Sequence, residues 1–410
     1  MVRFAHLADC HIGAWRDPRL SQLVDDAFSQ AVSRVIAEEV DFVVLAGDLF
    51  NTALPAIDRL KHAVRELERV KQAGIKVYFI AGSHDYSPTG KTMLDVLEEA
   101  GLGVNVFREA TSSSDSLVLE PVVDAKTGAS LVGVPGKAGQ LDKELFARLD
   151  THSLQELSSP KIFLFHAALT ELTPARLQGG GAQSVSLLPR GFDYYAGGHV
   201  HVVEEQSLEG YRRVVYPGPL FPASFSELEA FGSGGFCLVD LANDSFERVS
   251  VRTKDVFCVS IDCAGLTPEV VTDRLSKQLS ASVEDKVVLV RVSGRLARGT
   301  VSDIGFREVF SSCEQRGAYT CLKNTVGVSS PQLLSEEDVS VSGAREVERE
   351  VFSQYADSLE LPGVSDQEEL LHGLLQVLSE SQGDGETKKS YEQRVVSDAF
   401  GVLGLDEKEK

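Results

Sequence analysis

Asp9, His11, Asp48, His84, His166, His199 and His201 share one setting: each stands where an apolar run stops. The run through Ala8 ends in Asp-Cys-His, and Val43–Gly47 ends in Asp48. Phe79–Gly82 ends in Ser83-His84-Asp85, Ile162–Phe165 ends in His166, and Tyr194–Gly198 ends in His-Val-His. A buried strand that delivers reactive groups to the rim of a sheet has this pattern. Asp9 and His11 are two apart, as are His199 and His201, so on extended strand ends each pair would face one way. Carboxylates mixed with imidazoles suit a borderline divalent metal such as Mn²⁺ better than an all-oxygen Mg²⁺ or Ca²⁺ cage. Asp48 lies between the two pairs in the strand series and could bridge two ions. Two ions ~3.5–4 Å apart activate a water and stabilise the leaving oxygen of a phosphoryl displacement. His84 would then serve as a general acid or as an electrostatic clamp on phosphate. His6, His62, His152 and His372 fit no such motif.

The elements that must hold these residues are legible as a β-α-β-α-β start. Val2–Asp9, Asp41–Ala46 and Lys76–Ala81 read as parallel strands. Arg19–Glu39 and Pro55–Ala73 read as the helices between them, the second opened by Pro55 and closed by Gly74. A further helix is expected from about Gly90 to Ala100. Short β-like runs follow at Ser116–Leu119, Ser130–Val134, Arg213–Val215 and Gly235–Leu241, consistent with a second sheet packed on the first. Gln178–Gly181 reads as a loop. Residues 1–250 are thus expected to form one α/β domain. Residues 255–326 repeat β-α-β-α-β on a smaller scale and carry Arg291, Arg295, Arg298, Arg307, Arg316 and Lys323. Residues 327–343 read as a serine-rich linker. Residues 344–410 read as helical, over Glu346–Tyr355, Gln367–Leu378 and Tyr391–Leu403, and too short to stand without a partner surface.

Composition narrows the class. No apolar run approaches the ~20 residues that span a bilayer, and the chain enters a strand at once, so neither a membrane span nor a leader is expected. The six cysteines form no CxxC pair, which argues for reduced thiols in a cytoplasmic protein rather than a disulfide frame or zinc knuckle. The net charge of −21 is awkward for a nucleic-acid binder, because phosphate contacts need Lys and Arg. Net charge governs solubility and long-range steering, however, not one groove.

The motifs DCH (9–11), GD (47–48), GSHD (82–85), His166 and GHVH (198–201), in this order, resemble the calcineurin-like metallophosphoesterases. AGDLFNTALP, HDYSPTGKTMLDVLEEAGL and YPGPLFPASFSELE resemble more narrowly the DNA double-strand-break repair nucleases of the Mre/SbcD family. The resemblance implies a two-sheet α/β/β/α sandwich over 1–250, a small α/β cap at 255–326 that contacts DNA, and C-terminal helices that bind a coiled-coil ABC-type ATPase. It implies two Mn²⁺ ions, with Mg²⁺ less suited. Asp9, His11, Asp48 and His201 would hold one, Asp48, His166 and His199 the other, and His84 would act on the phosphate. Ser83 stands where the superfamily motif has asparagine, and a hydroxyl reaches less far than an amide, so the second site is expected to be weaker or water-bridged. The family also implies homodimer contacts through Leu60, Val64, Leu67, Met93, Leu94 and Leu97, which read equally well as core. The implied activity is 3′-to-5′ exonuclease action on duplex DNA ends and endonuclease action on single strands. Two rivals are a phosphatase or phosphodiesterase for a small ester and a DNA-end tethering scaffold whose second metal site has decayed.

Overall fold

The computed structural model describes residues 2–87, 91–112, 116–137, 142–174, 182–330 and 388–403, with positions 370, 373, 374, 377 and 378 besides. Strands β1 (Arg3–Leu7), β2 (Phe42–Ala46) and β3 (Lys76–Ile80) run parallel, linked by helices α1 (Pro18–Ala37) and α2 (Ile57–Gln72). Asp17 caps α1 by accepting the Arg19 and Leu20 amides, with Pro18 in the first turn, where its missing N–H costs nothing. Pro55 does not open α2: Ala56 is the extended N-cap residue and the helix begins at Ile57. The next helix, α3 (Met93–Glu99), starts at the reciprocal bonds of Thr92 and Asp95, a capping box. Leu67, Leu94 and Leu97 of the two helices are buried, whereas Val64 is exposed.

Strand β4 (Val104–Asn105) adds to β3, and a small antiparallel pair follows, β5 (Glu109–Ser112) with β6 (Leu117–Leu119). The second sheet begins with β7 (Val122–Val123) and β8 (Ser130–Val134). Short helices α4 (Asp142–Arg148) and α5 (Thr151–Gln155) precede β9 (Lys161–His166), then β10 (Tyr194–Gly198), β11 (Val203–Leu208) and β12 (Tyr211–Pro217). Its order is β11-β12-β10-β9-β8-β7. Helix α6 (Phe225–Phe231) then leads to β13 (Gly234–Asp240) and β14 (Ser245–Val251). The β13 run does not join the second sheet: β13 pairs antiparallel with β1, giving a first sheet of order β14-β13-β1-β2-β3-β4.

The period of two along the strands explains why these sheets stack. Phe4, Phe42, Val44, Tyr78, Leu131, Ile162, Leu164, Tyr194, Cys237 and Val239 meet in one core between the sheets. Their sequence neighbours Ala5, Val43, Leu45, Val77, Phe236 and Leu238 face the helices α1–α3, while Phe163, Phe165 and Tyr195 face the opposite side. Strands buried on both faces read as continuous apolar runs, and each large side chain so buried contributes about 1.5–3 kcal/mol. The result is an α/β/β/α sandwich.

A third sheet, β15 (Asp255–Asp262), β16 (Lys286–Arg295) and β17 (Thr320–Ser329), is fully parallel. It carries α7 (Pro268–Gln278) and α8 (Phe306–Gln315) over a core of its own. Its Val287 and Leu289 enter the core that lies over the first sheet, and Arg19 and Tyr319 bond each other's backbone carbonyls. β17 runs to Ser329, so the first residues of the expected linker are strand. Met1–Ser330 is one compact unit and Pro331–Lys410 another. In the latter the described helix α9 (Lys388–Val402) covers the expected one from Tyr391. The expected helices at 346–355 and 367–378, apart from single positions, and the 178–181 loop lie outside the described residues. No helix among the described residues is long and apolar enough to cross a membrane, and all six cysteines are free.

Candidate metal centre

Parallel strands end on one edge, so the C-terminal tips of β1, β2, β3, β9 and β10 gather where the two sheets face each other. Beyond the tips the chain does not stay extended. Asp9, His11, Asp48 and His201 have φ of 50°, 44°, 51° and 50°, and His199 has 102°. Left-handed backbone at non-glycine residues costs of order 1–3 kcal/mol each and persists only where the surroundings enforce it. Here the enforcement is hydrogen bonding between tips: Asp9 N–H donates to Gly47 O (3.2 Å), His11 N–H to Asp48 O (3.0 Å) and Ile12 N–H to Leu49 O (2.9 Å). The convergence of Asp9 with His11, and of His199 with His201, thus comes from sharp turns rather than from strand alternation. Cys10, between the first pair, is buried in the core over the helix-bearing face of the first sheet.

Among the described residues, three groups of ligand atoms cluster within 4.8 Å: Asp9 with His11 and His201, His11 with Asp48 and His84, and Asp9 with Asp48 and His166. Nε2 of His11 and Nε2 of His201 stand 2.9 Å apart, a spacing that suits two nitrogen donors to one ion. Nε2 of His166 is buried without a hydrogen-bond partner, with Asp48 Oδ2 3.2 Å away. The other nitrogen of that ring, Nδ1, meets the Ala46 carbonyl at 2.8 Å, which fixes the ring and leaves Nε2 for a cation. Asp48 Oδ1 accepts the His84 amide (2.8 Å), and both Asp9 oxygens accept the His199 amide (2.9 and 3.1 Å). Asp85, fully buried, accepts the amides of Leu49, Phe50 and Gly82 at 3.0–3.2 Å. It thereby ties the turn bearing Asp48 to the turn bearing His84.

Charge in this pocket is arranged for a cation. Burial pushes His11 and His199 down, to about 3 and about 4, and pushes Asp9 up. Burial also works against protonated His166 and His201, but Asp48 beside the first and Asp9 beside the second outweigh it and lift them to about 10 and about 9. Burial opposes ionised Asp48 too, yet His166 and His11 hold its carboxyl below the usual range. Burial and the Asp48 charge raise Asp85 to about 7. The carboxylates therefore draw in positive charge, as imidazolium protons when nothing else supplies it. A divalent cation supplies the same charge and displaces those protons, because a ligating imidazole is neutral. These residues fit a divalent metal.

The calcineurin-like phosphoesterase family matches residues 2–203. A DNA double-strand break repair protein Mre11 from Sulfurisphaera tokodaii is 29% identical over 283 residues, covering 66% of this chain and 68% of that protein. The protein of that name from Archaeoglobus fulgidus is 27% identical, covering 64% of this chain and 62% of its own length. An uncharacterized metallophosphoesterase, YhaO, from Bacillus subtilis is 26% identical over 269 residues, 62% of this chain and 61% of that protein. Residues 2–203 form a calcineurin-like metallophosphoesterase domain. Within that superfamily the chain is similar to the proteins named for DNA double-strand break repair. As such a phosphoesterase it is a two-metal hydrolase of phosphoesters.

Of the residues singled out in the sequence, Asp9, His11, Asp48, His84, His166 and His201 belong to the three tight groups. His199 joins the centre differently. Its ring lies against His166, centroids 5.1 Å apart, and its amide holds Asp9, while the group around His166 is completed by Asp9. The half-buried Ser83 sits between Gly82 and His84 in the turn after β3. His84 is exposed at the rim, with Nδ1 2.8 Å from the Asn51 carbonyl. Two partners escaped the sequence reading. One is that Asn51 carbonyl, since a backbone atom leaves no mark in residue type. The other is Glu227, whose Oε2 lies 3.2 Å from Nδ1 of His201; its only sequence signal, Ser-x-x-Glu at 224–227, also marks a helix start.

Proposed function

We propose that this phosphoesterase is the Mn²⁺-dependent nuclease subunit of a double-strand-break repair complex. It would remove nucleotides 3′-to-5′ from duplex DNA ends and cut single strands. The observation that carries the reading is Asp48, whose Oδ2 lies 3.7 Å from Nε2 of His11 and 3.2 Å from Nε2 of His166, between the residues that would hold two adjacent ions. The mixed imidazole and carboxylate set favours Mn²⁺ over Mg²⁺. A bound pair of such ions polarises the phosphodiester and generates a nucleophile from water at neutral pH. The chain's own residues do the rest. Asp9, His11, Asp48 and His201 would hold one ion and Asp48, His166 and His199 the other, with Ser83 a candidate at the second. His84, its ring pinned through Nδ1 by the Asn51 carbonyl, offers its other nitrogen to the phosphate or the leaving oxygen. The relatives named for double-strand break repair support DNA as the substrate.

The third sheet is the cap that meets DNA in this reading. Arg291 is engaged by Glu229, and Arg316 by the Ser312 and Ala281 carbonyls. The phosphate contacts then fall to the exposed Arg295, Arg307 and Lys323, joined by Arg298 if it leaves its exposed pair with Glu269 (3.5 Å). The 344–410 tail binds the coiled-coil ABC-type ATPase, and the active form is a cytoplasmic homodimer. End-labelled duplex DNA incubated with the protein and Mn²⁺, Mg²⁺ or a chelator tests the proposal. Laddering from the 3′ end with Mn²⁺ alone is expected. Cleavage of small phosphodiesters with DNA left intact would refute it.

A further inference from the structure

Helix α6 follows the last strand of the second sheet and carries carboxylates toward two different neighbours. Glu227 points at the metal centre: Oε2 lies 3.2 Å from Nδ1 of His201 and also accepts the Ala223 amide at 2.9 Å. Its other oxygen accepts the Ser224 hydroxyl at 3.0 Å. Two positions on, Glu229 grips Arg291 of β16 with both oxygens, at 2.6–3.0 Å, and the same guanidinium lies over the Phe225 ring at 5.2 Å. One short helix is thus fixed to His201 by one carboxylate and to the third sheet by another.

We infer that Glu227 is a positioning residue for the metal centre, holding His201 by its Nδ1–H so that Nε2 faces His11 and Asp9, and that Arg291 steadies the helix from which it does so. The inference rests on the two-metal reading above. His201 needs such a partner because its backbone is left-handed and its ring is partly open to solvent. Nothing in the local backbone dictates the ring's rotation or tautomer. An acceptor on Nδ1 decides both, since the remaining nitrogen must then present its lone pair. The competing explanation is that Glu227 only closes the start of α6, where Ser224 Oγ accepts the Glu227 amide at 3.2 Å.

The same molecule supplies the means to separate the two. At the start of α3 the reciprocal cap is made by an aspartate, Asp95, with Thr92. Glu227→Asp therefore keeps the Ser224 Oγ bond to the residue 227 amide and can close the helix start as Asp95 does, but is one methylene too short to reach His201. Glu227→Gln preserves both the cap and an acceptor for Nδ1–H. Mn²⁺ is titrated calorimetrically into the full-length apo protein, wild type beside Glu227→Asp, Glu227→Gln and Arg291→Ala, with thermal melts in parallel. Glu227→Asp should weaken one of the two sites by about 10–100-fold, the usual effect of losing an outer hydrogen bond to a ligand, with little change in melting. Glu227→Gln should stay within about threefold of wild type, since it keeps the bond. Arg291→Ala should weaken that same site by a smaller factor, and add nothing in the Glu227→Asp background, because coupled residues are not additive. Wild-type affinity in Glu227→Asp would overturn the inference and leave Glu227 a cap. Loss in Glu227→Gln equal to that in Glu227→Asp would overturn the hydrogen-bond role, and fully additive losses would overturn the part given to Arg291. A wild type that takes up no pair of ions would instead refute the two-metal reading itself.

Discussion

Gly82→Ala is a one-carbon change that should damage the centre without touching a ligand. Gly82 has no left-handed φ, so its backbone accepts alanine. The difficulty is proximity: a Cβ there would lie 2.1 Å from Asp48 Oδ1, 2.2 Å from its amide nitrogen and 2.7 Å from Cγ. Ordinary contact begins near 3.4 Å, so the turns after β2 and β3 must part by more than an ångström. Asp48 cannot simply recoil, because His166 Nε2 already stands 3.2 Å from its other oxygen, and Asp85 ties the two turns by three amides. Overpacking of this kind costs about 1–3 kcal/mol. A displacement of ~1 Å at a reacting group costs on the order of 10² in rate. The variant should therefore fold, melt a few degrees lower, bind Mn²⁺ more weakly at both sites, and cleave a phosphodiester about 10²-fold more slowly. Circular dichroism, Mn²⁺ calorimetry and turnover on one preparation measure all of these. A wild-type rate with a wild-type titration would refute the reasoning, since it would mean that Asp48 need not stand where Gly82 confines it.

Asp48→Asn should abolish cleavage and weaken both ions, because its carboxylate lies between His11 and His166, which would hold different ions; full turnover in the purified variant would contradict a shared ligand. His84→Ala should leave Mn²⁺ binding nearly unchanged and cost on the order of 10²–10⁴ in rate. A fall in bound metal would instead make His84 a ligand, the role its closeness to His11 and Asp48 leaves open. Wild-type protein should bind Mn²⁺ in two phases, with activity following the weaker, and Ser83→Asn should tighten that second phase; two equal tight sites in the wild type would remove any weight from the serine.

What could be read in the sequence, and what could not, follows from the range of the forces involved. The five strand tips were visible because burial on both faces writes an uninterrupted apolar run, and a polar metal-competent residue at its end breaks that run abruptly. Parallel order for β1–β3 followed from the helices between them. The return of β13 to β1 was not visible. Its Phe236 and Leu238 on one face and Cys237 and Val239 on the other suit either sheet equally well, and only pairing across more than two hundred residues decides between them.

The site shows the same division more sharply. Residue type named six members of the tight groups, but spacing gave a wrong reason for their convergence. A period of two would aim Asp9 and His11 alike only if the chain stayed extended, and both are left-handed. Such a conformation is unfavourable locally and is imposed by the neighbouring tip, whose carbonyls at Gly47 and Asp48 take the Asp9 and His11 amides. That bonding exists only once β1 and β2 are paired, so no local rule could foresee it. The same holds for Asp9 beside His166: they belong to different sheets, and meet because the inter-sheet core of Phe4, Val44, Ile162 and Leu164 brings the two edges together. The metal centre is therefore a product of sheet stacking, and a substitution deep in that core should reach it as surely as one at a ligand.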